Sequence, residues 1–145
     1  MEKQILLKFE IIIEPHELIP SKNLNNLLLI LLCERYVNKI YNSKIICALY
    51  DVNINENPKI LSNGNIKFCC NVDCSVIDLN INDELILPIT SNNKMGAFYK
   101  SDQLTVFIPK HLCKEQMIPD IDTSISVIIV GKRITDKYVC VAKML

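Results

Sequence analysis

The sequence predicts an α+β protein in two parts: an N-terminal antiparallel sheet with one long helix, and a small C-terminal β-barrel. Two observations support this prediction. Residues 1–80 contain long segments of alternating apolar and polar residues around a single helix-like segment. Residues 81–145 contain five short strand-like segments separated by polar turns, a spacing typical of a small barrel. We place the boundary between the two parts near residue 80.

The first predicted strand covers Ile5 to Ile13. Its odd positions are all apolar, whereas most of its even positions are polar, which is the pattern of a strand with one buried face. Pro15 ends the strand because proline has no backbone donor and a fixed φ angle. One apolar face of this strand is therefore expected to contribute to the core.

A helix is predicted from about Lys22 to Ile40. Ser21 or Asn23 precedes or opens it, and either side chain can accept hydrogen bonds from the first free amides of a helix. The middle of the helix, Leu27 to Cys33, is apolar on all sides. One sheet face does not cover such a helix, so a second covering surface is expected, either the other domain or a partner chain.

Two further strands are predicted at residues 46–54 and 66–76. The expected inward positions are Ile46, Ala48, Tyr50, Val52 and Ile54 in the first, and Ile66, Phe68, Cys70, Val72, Cys74 and Val76 in the second. The loop between them, Asn55 to Asn65, contains the turn signals Asn57-Pro58 and Asn63-Gly64. After Val76 the apolar phase changes, which indicates a bulge or a crossing between sheets.

The predicted barrel strands are Asp83 to Ile89, Gly96 to Lys100, Leu104 to Ile108, Ser124 to Val130 and Tyr138 to Lys143. Gly96 is expected to let the chain turn sharply into a curled strand. Phe98 or Tyr99 then offers a ring for base stacking.

Composition limits the function. Half of the residues are apolar and 22% are charged, which argues against disorder. The formal net charge is zero, whereas proteins that hold nucleic acid through phosphate neutralisation alone have a basic excess. Any RNA binding is therefore expected to be weak, local or assisted by partners.

No catalytic, metal or cofactor site is expected. Cys70 and Cys74 share a strand face but stand about 13 Å apart, too far for one zinc ion, and Cys69 points to the other face. Core packing is the better interpretation of these thiols. The chain has only two histidines and three glycines, with no phosphate-binding glycine loop.

Seven cysteines without a CxxC spacing indicate reduced thiols in an intracellular protein. The longest apolar run, Leu27 to Cys33, is too short to cross a bilayer, and the N-terminus does not read as a leader peptide. A soluble protein with no membrane partner is expected.

Three C-terminal segments resemble an oligonucleotide-binding (OB) barrel of the S1 type. They are Met95-Gly96-Ala97-Phe98-Tyr99, Phe107-Ile108-Pro109-Lys110-His111 and Ile128-Ile129-Val130-Gly131-Lys132-Arg133-Ile134. With the α+β unit before them, nearly the whole chain resembles the large stalk subunit of multisubunit DNA-directed RNA polymerases, the family of eukaryotic polymerase II subunit seven and its archaeal counterpart. Glu14-Pro15-His16-Glu17-Leu18 and the short length are closest to the small poxvirus-type subunit.

This resemblance implies a non-catalytic subunit. The N-terminal tip domain would dock on the large and other core subunits of the polymerase, at the base of the clamp. The docking residues would be Pro58, Lys59, Ile60, Leu61, Asn63 and Gly64. The barrel would lie near the RNA exit path and contact nascent RNA weakly. The RNA-binding residues would be Phe98, Tyr99, Lys110, His111, Lys132 and Arg133, with Lys94, Lys100 and Lys137 as further cations.

The resemblance also implies a compartment and a further partner. A viral subunit would be in the host cytoplasm, at the virus factory, and in the virion, whereas a cellular one would be nuclear. Cellular relatives bind a small helical stalk partner subunit. The chain departs from a typical S1 barrel at Met95, where that barrel has an aromatic residue, and at Ile108, where it has a histidine.

Two other functions remain open from the sequence. The first is a free-standing S1/OB-type RNA-binding factor of translation or RNA decay, which would bind single-stranded RNA by itself. The second is a scaffold module whose two domains only pack against other proteins.

Overall fold

The computed structural model describes residues 2–18 and 23–145, which divide into two compact units, residues 2–77 and residues 78–145. The described chain is mostly sheet, with one α-helix and several short 3-10 turns. The predicted α+β class is confirmed.

The first unit is a curled antiparallel sheet. Its elements are β1 (Glu2–Ile13), α1 (Leu24–Tyr36), β2 (Ile40–Tyr41), β3 (Lys44–Ile54), β4 (Lys59–Ile60) and β5 (Ile66–Ile77). The strand order is β1-β5-β3-β2, and β4 pairs with the start of β5. Because β5 pairs with β1 along its whole length and with β3 along most of it, β5 is the centre of the unit.

The core of the first unit lies between the inner face of this sheet and α1. The inner positions of β1 and β5 are buried as predicted: Phe9, Ile11 and Ile13, and Phe68, Cys70, Val72, Cys74 and Val76. Leu28 and Leu32 of α1 are fully buried against them. Cys70 and Cys74 are therefore core residues, which confirms their interpretation as packing thiols.

Three aromatic rings join the two edges of the curled sheet. Tyr41 of β2 stacks on Phe9 of β1, with ring centroids 4.5 Å apart, although these strands are at opposite ends of the strand order. Tyr36 of α1 contacts both rings. The Tyr41 hydroxyl also donates a hydrogen bond of 3.2 Å to the carbonyl of Lys8. The sheet is thus bent until its far edges meet.

The predicted inner face of β3 is wrong at Ala48, which pairs with the outward Ser75, and at Tyr50. The Tyr50 side chain is 50% exposed, and the neighbouring Leu49 is buried instead. The register against β5 shifts once after Ile46 and again after Leu49, and each shift places one extra residue in β3. Inward positions therefore recur every third residue, at Ile46, Leu49 and Val52.

The helix begins close to the predicted start. Asn23 caps α1, since its Oδ1 accepts a hydrogen bond of 2.9 Å from the backbone N–H of Asn25. The alternative cap Ser21 and the predicted first residue Lys22 lie outside the described residues.

The helix ends earlier than predicted, at Tyr36 rather than Ile40. Asn38 has φ of 64°, a left-handed conformation that stops the helix, and Ile40 already belongs to β2. The helix packs on β3, while Ile30 on its outward side is 45% exposed.

The second unit is a six-stranded curled sheet. Its strands are β6 (Glu84–Pro88), β7 (Ser91–Asn93), β8 (Gly96–Lys100), β9 (Leu104–Pro109), β10 (Ser124–Ile134) and β11 (Tyr138–Met144). The order is β6-β10-β11-β9-β8-β7, and only β11 and β9 run parallel. The five predicted strands are confirmed, and β7 is an additional strand that the sequence pattern did not predict.

This sheet begins and ends on one stretch of chain. Only Ile89 and Thr90 separate β6 from β7. The N–H of Ile89 donates to the carbonyl of Thr123, and the N–H of Thr90 donates to the carbonyl of Phe98. Two neighbouring residues therefore bond to opposite sides of the sheet, Ile89 next to β10 and Thr90 to β8, which gives the unit its barrel-like form.

A buried tyrosine of the second unit forms two hydrogen bonds through its hydroxyl group. Tyr138 is fully buried, and its hydroxyl donates to the carbonyl of Leu79 and accepts from the N–H of Leu79, each at 3.0 Å. Burial raises the pKa of this hydroxyl, so it stays protonated at neutral pH. These bonds fix the start of the unit to β11.

We expect Tyr138→Phe to lower the free energy of unfolding by about 1–3 kcal/mol, because two buried backbone groups of Leu79 lose their partner. Tyr99→Phe, at a partly exposed position of the same unit, should change it by less than about 0.5 kcal/mol. Denaturant unfolding of the full chain, followed by circular dichroism, measures both. Equal stability of the two variants would contradict the structural role of the hydroxyl.

Candidate functional site

Two aromatic rings lie side by side on the outside of the second unit. Phe98 of β8 is directly opposite Phe107 of β9, and their ring centroids are 4.7 Å apart with planes 22° from parallel. Ala97 and Val106, one position away on each strand, are fully buried. Because successive strand residues point to opposite faces, both phenylalanines point outward. The Nζ of Lys100 lies 4.9 Å from the Phe98 ring centroid, within cation–π distance.

Strand register extends this pair into a larger surface, which we call the outer barrel face. Its first row contains Phe98, Phe107 and Val141, and its second row contains Lys100, Thr105, Val139 and Arg133. The second row thus has a cation at each end, with three strand spacings, or about 14 Å, between their backbones. The face combines apolar surface with two separated positive charges.

Gly96 makes the ring pair possible. Its φ is +157°, and a Cβ there would lie 2.1 Å from the carbonyl oxygen of Ile108 and 3.0 Å from Cε2 of Phe107. No side chain fits that space, so β8 and β9 approach closely only with glycine at this position. The Phe107 ring lies against the bare glycine backbone.

The other predicted aromatic and the two residues after β9 are not on this face. Tyr99 has the opposite strand phase to Phe98 and is partly buried. Lys110 and His111 are exposed in the 3-10 turn Lys110–Leu112, which follows β9. The structure therefore brings only Phe98 of these four residues onto the outer barrel face.

The two predicted cations of β10 are separated by strand alternation. Arg133 pairs with Val139 and shares the outer barrel face. Lys132 pairs with the buried Cys140 and is exposed, and its Nζ donates to Oδ1 of Asn80 at 3.3 Å. Of these two cations, only Arg133 lies on the same face as the rings of Phe98 and Phe107.

Sequence reasoning missed Phe107 as a site residue. A usable signal was present, because Phe98 and Phe107 are equally distant from the turn between β8 and β9 and must therefore face each other in a regular hairpin. Val139 and Val141 had no such signal, since their neighbour β9 pairs in parallel from a distant part of the chain.

The predicted docking residues form a hairpin rather than an irregular loop. We call residues 58–67 the tip hairpin. Lys59 and Ile60 of β4 pair with Lys67 and Ile66 of β5. The turn is closed by bonds from the N–H of Leu61 to the carbonyl of Asn65 (2.8 Å) and from the N–H of Gly64 to the carbonyl of Leu61 (2.9 Å).

A side-chain hydrogen bond and a glycine with positive φ stabilise the turn of the tip hairpin. Oδ1 of Asn63 accepts from the N–H of Asn65 at 3.1 Å, and Gly64 has φ of 87°, which glycine adopts without strain. Ile60 is 80% exposed, whereas Leu61 is partly buried. Pro58, Lys59, Asn63 and Gly64 are exposed. The backbone of the tip hairpin is therefore held by hydrogen bonds, whereas the side chain of Ile60 is exposed to solvent.

Cys140 is fully buried in the interior of the second unit. Burial raises the pKa of the Cys140 thiol to about 11, so the thiol is protonated at neutral pH. Within residues 2–18 and 23–145, no group of three or more His, Cys, Asp or Glu side chains is arranged to hold a metal ion. In the same ranges, no helix combines the length and apolar character required to span a bilayer.

No protein-family model matches the chain, and a search of curated proteins finds no match. The outer barrel face and the tip hairpin are the two surfaces of the chain that bear on its function.

We expect Gly96→Ala to lower the free energy of unfolding by more than about 2 kcal/mol, because the new methyl group collides with backbone and the φ angle is unfavourable for alanine. Gly131→Ala is the matched control, since a Cβ there meets nothing within 4 Å. It should change stability by less than about 0.5 kcal/mol. If both substitutions are tolerated equally, the close approach of β8 and β9 is wrong.

Proposed function

We propose that the chain is a non-catalytic subunit of a DNA-dependent RNA polymerase, docked on the core subunits through the tip hairpin and facing the transcript with the outer barrel face. The observation that supports docking best is the position of Ile60. Burying an isoleucine side chain is favourable by about 1.5–3 kcal/mol, yet Ile60 is 80% exposed. Its backbone is already hydrogen-bonded in the hairpin, so a partner that covers the side chain gains this energy with little further loss of backbone conformational entropy.

The barrel-like unit supports the RNA contact. If β6 and β7 are counted as two halves of one bent strand, the strand order fits a five-stranded OB barrel. β8 and β9 are then its second and third strands, whose outer face binds oligonucleotides in OB barrels. Phe98 and Phe107 lie on that face.

The chemistry of the outer barrel face suits low-affinity binding of single-stranded RNA. The partly exposed ring pair offers aromatic surface against which a base can stack, and Lys100 and Arg133 are spaced to contact backbone phosphates on either side. With zero net charge over the whole chain, long-range attraction to RNA is small. Docking on the polymerase would therefore supply the local RNA concentration that the face itself lacks.

A free-standing RNA-binding factor is the second candidate. The observation that favours it is the ring pair with Lys100 beside it, which needs no second protein to form. The two candidates differ in whether the tip hairpin is required, so substitutions in the hairpin and on the face separate them.

We expect Ile60→Lys to reduce recovery of RNA polymerase large subunits with the tagged chain, purified from its native source, by about tenfold or more. The matched control is Leu6→Lys, which changes another exposed aliphatic residue of the first unit by the same charge. Leu6 is 63% exposed and faces Asp73 across the sheet, so lysine is well accommodated there. Equal recovery of the polymerase with both variants would contradict docking through the tip hairpin.

We expect Phe107→Leu to weaken binding of a labelled single-stranded RNA by about fivefold or more, because stacking on the ring is lost while apolar packing against Gly96 is kept. Fluorescence anisotropy at low salt measures the dissociation constant. Tyr50→Leu, which removes an exposed ring from the first unit, should leave it unchanged. An unchanged constant for Phe107→Leu would exclude the outer barrel face as the RNA site.

A further inference from the structure

The tip hairpin contains an unfavourable charge pair. Lys59 and Lys67 are directly opposite each other on β4 and β5. Like charges in this position destabilise a strand pair. Lys67 has one acidic partner, Glu10, at 3.4 Å. No carboxylate within the described chain forms an ion pair with Lys59, whose side chain is exposed.

The two lysines lie on the opposite side of the tip hairpin from Ile60. Register places Ile60 beside Ile66 and the buried Ile13, on the side of the core. The same register places Lys59 beside Lys67 and then Ile12, which is 45% exposed. We call Ile12, Lys59 and Lys67 the lysine face. The tip hairpin thus offers an apolar side chain on one side and two amines on the other.

We propose that the docking partner contacts both sides of the tip hairpin, with an apolar pocket for Ile60 and an acidic protein surface, containing Asp or Glu side chains, against Lys59 and Lys67. This inference rests on the proposed docking function and adds the chemistry of the partner. The partner's carboxylates remove the repulsion between the two amines, so the pair that destabilises the free chain stabilises the complex.

The apolar neighbours of the lysines favour a protein surface over nucleic acid phosphates. Ile12 lies exposed within the lysine face, and Ile60 is exposed on the other side of the same hairpin. A protein surface can cover both isoleucines and also supply carboxylates, whereas a phosphate backbone gains nothing from covering them. An acidic protein groove therefore matches the hairpin on both sides.

The test is a charge reversal that should not unfold the hairpin. Lys59→Glu places a carboxylate opposite Lys67, which removes the repulsion in the free chain. We expect unchanged or slightly higher thermal stability of this variant, but about tenfold weaker binding to RNA polymerase depleted of the native subunit. Lys8→Glu is the matched control, because Lys8 is exposed on the same sheet face opposite the neutral Asn71. It should bind within about twofold of the unchanged chain.

Two further measurements complete the test. Binding of the unchanged chain should weaken as salt rises, and Lys59→Glu should show a smaller salt dependence. Nuclease treatment of the polymerase should leave binding intact. If Lys59→Glu binds as well as Lys8→Glu, or if nuclease abolishes binding, the acidic protein surface is wrong. If Lys59→Glu binds normally but Ile60→Lys does not, docking through Ile60 is supported and the acidic partner surface is wrong. If neither substitution weakens binding, the proposed docking itself is wrong.

Discussion

Both units depend on sheets that are bent sharply enough to enclose their own inner faces. A regular pleated sheet does not bend this far, and each sheet contains local departures from regular pairing. In the first unit the register of β3 shifts twice, and the curl brings Tyr41 onto Phe9 from the far end of the strand order. In the second unit the register of β10 shifts between Ile129 and Gly131, and Gly96 allows β8 and β9 to approach closely.

The same bending creates the surface proposed to contact RNA. Alternation sends small and branched residues such as Ala97 and Val106 inward, so the larger rings of Phe98 and Phe107 are left on the convex side. Their stacking needs the space at Gly96, because any Cβ there would displace the Phe107 ring. Hairpin register therefore places the two rings opposite each other, and Gly96 leaves the space that the Phe107 ring occupies.

The sequence predicted what depends on local pattern and missed what depends on pairing between distant strands. Alternation correctly identified the inner faces of β1 and β5. It failed at Tyr50, because a shift in register against β5 cannot be read from β3 alone. The tip hairpin was expected as a loop, since β4 is only two residues long and exists through its pairing with β5. The outer barrel face needs the parallel pairing of β11 with β9, for which short-range pattern gives no signal.

The zero net charge of the chain and the local charges of Lys100 and Arg133 have different consequences for the proposed function. With zero net charge, the chain has little general attraction for RNA, so under the proposed function Lys100 and Arg133 act only on a strand that is already near. A subunit anchored on a polymerase has its RNA at an effective concentration in the millimolar range, where even a weakly stacking face is occupied. Under the proposed docking, the tip hairpin therefore determines where the chain acts, and the outer barrel face needs only enough affinity to hold a transcript transiently.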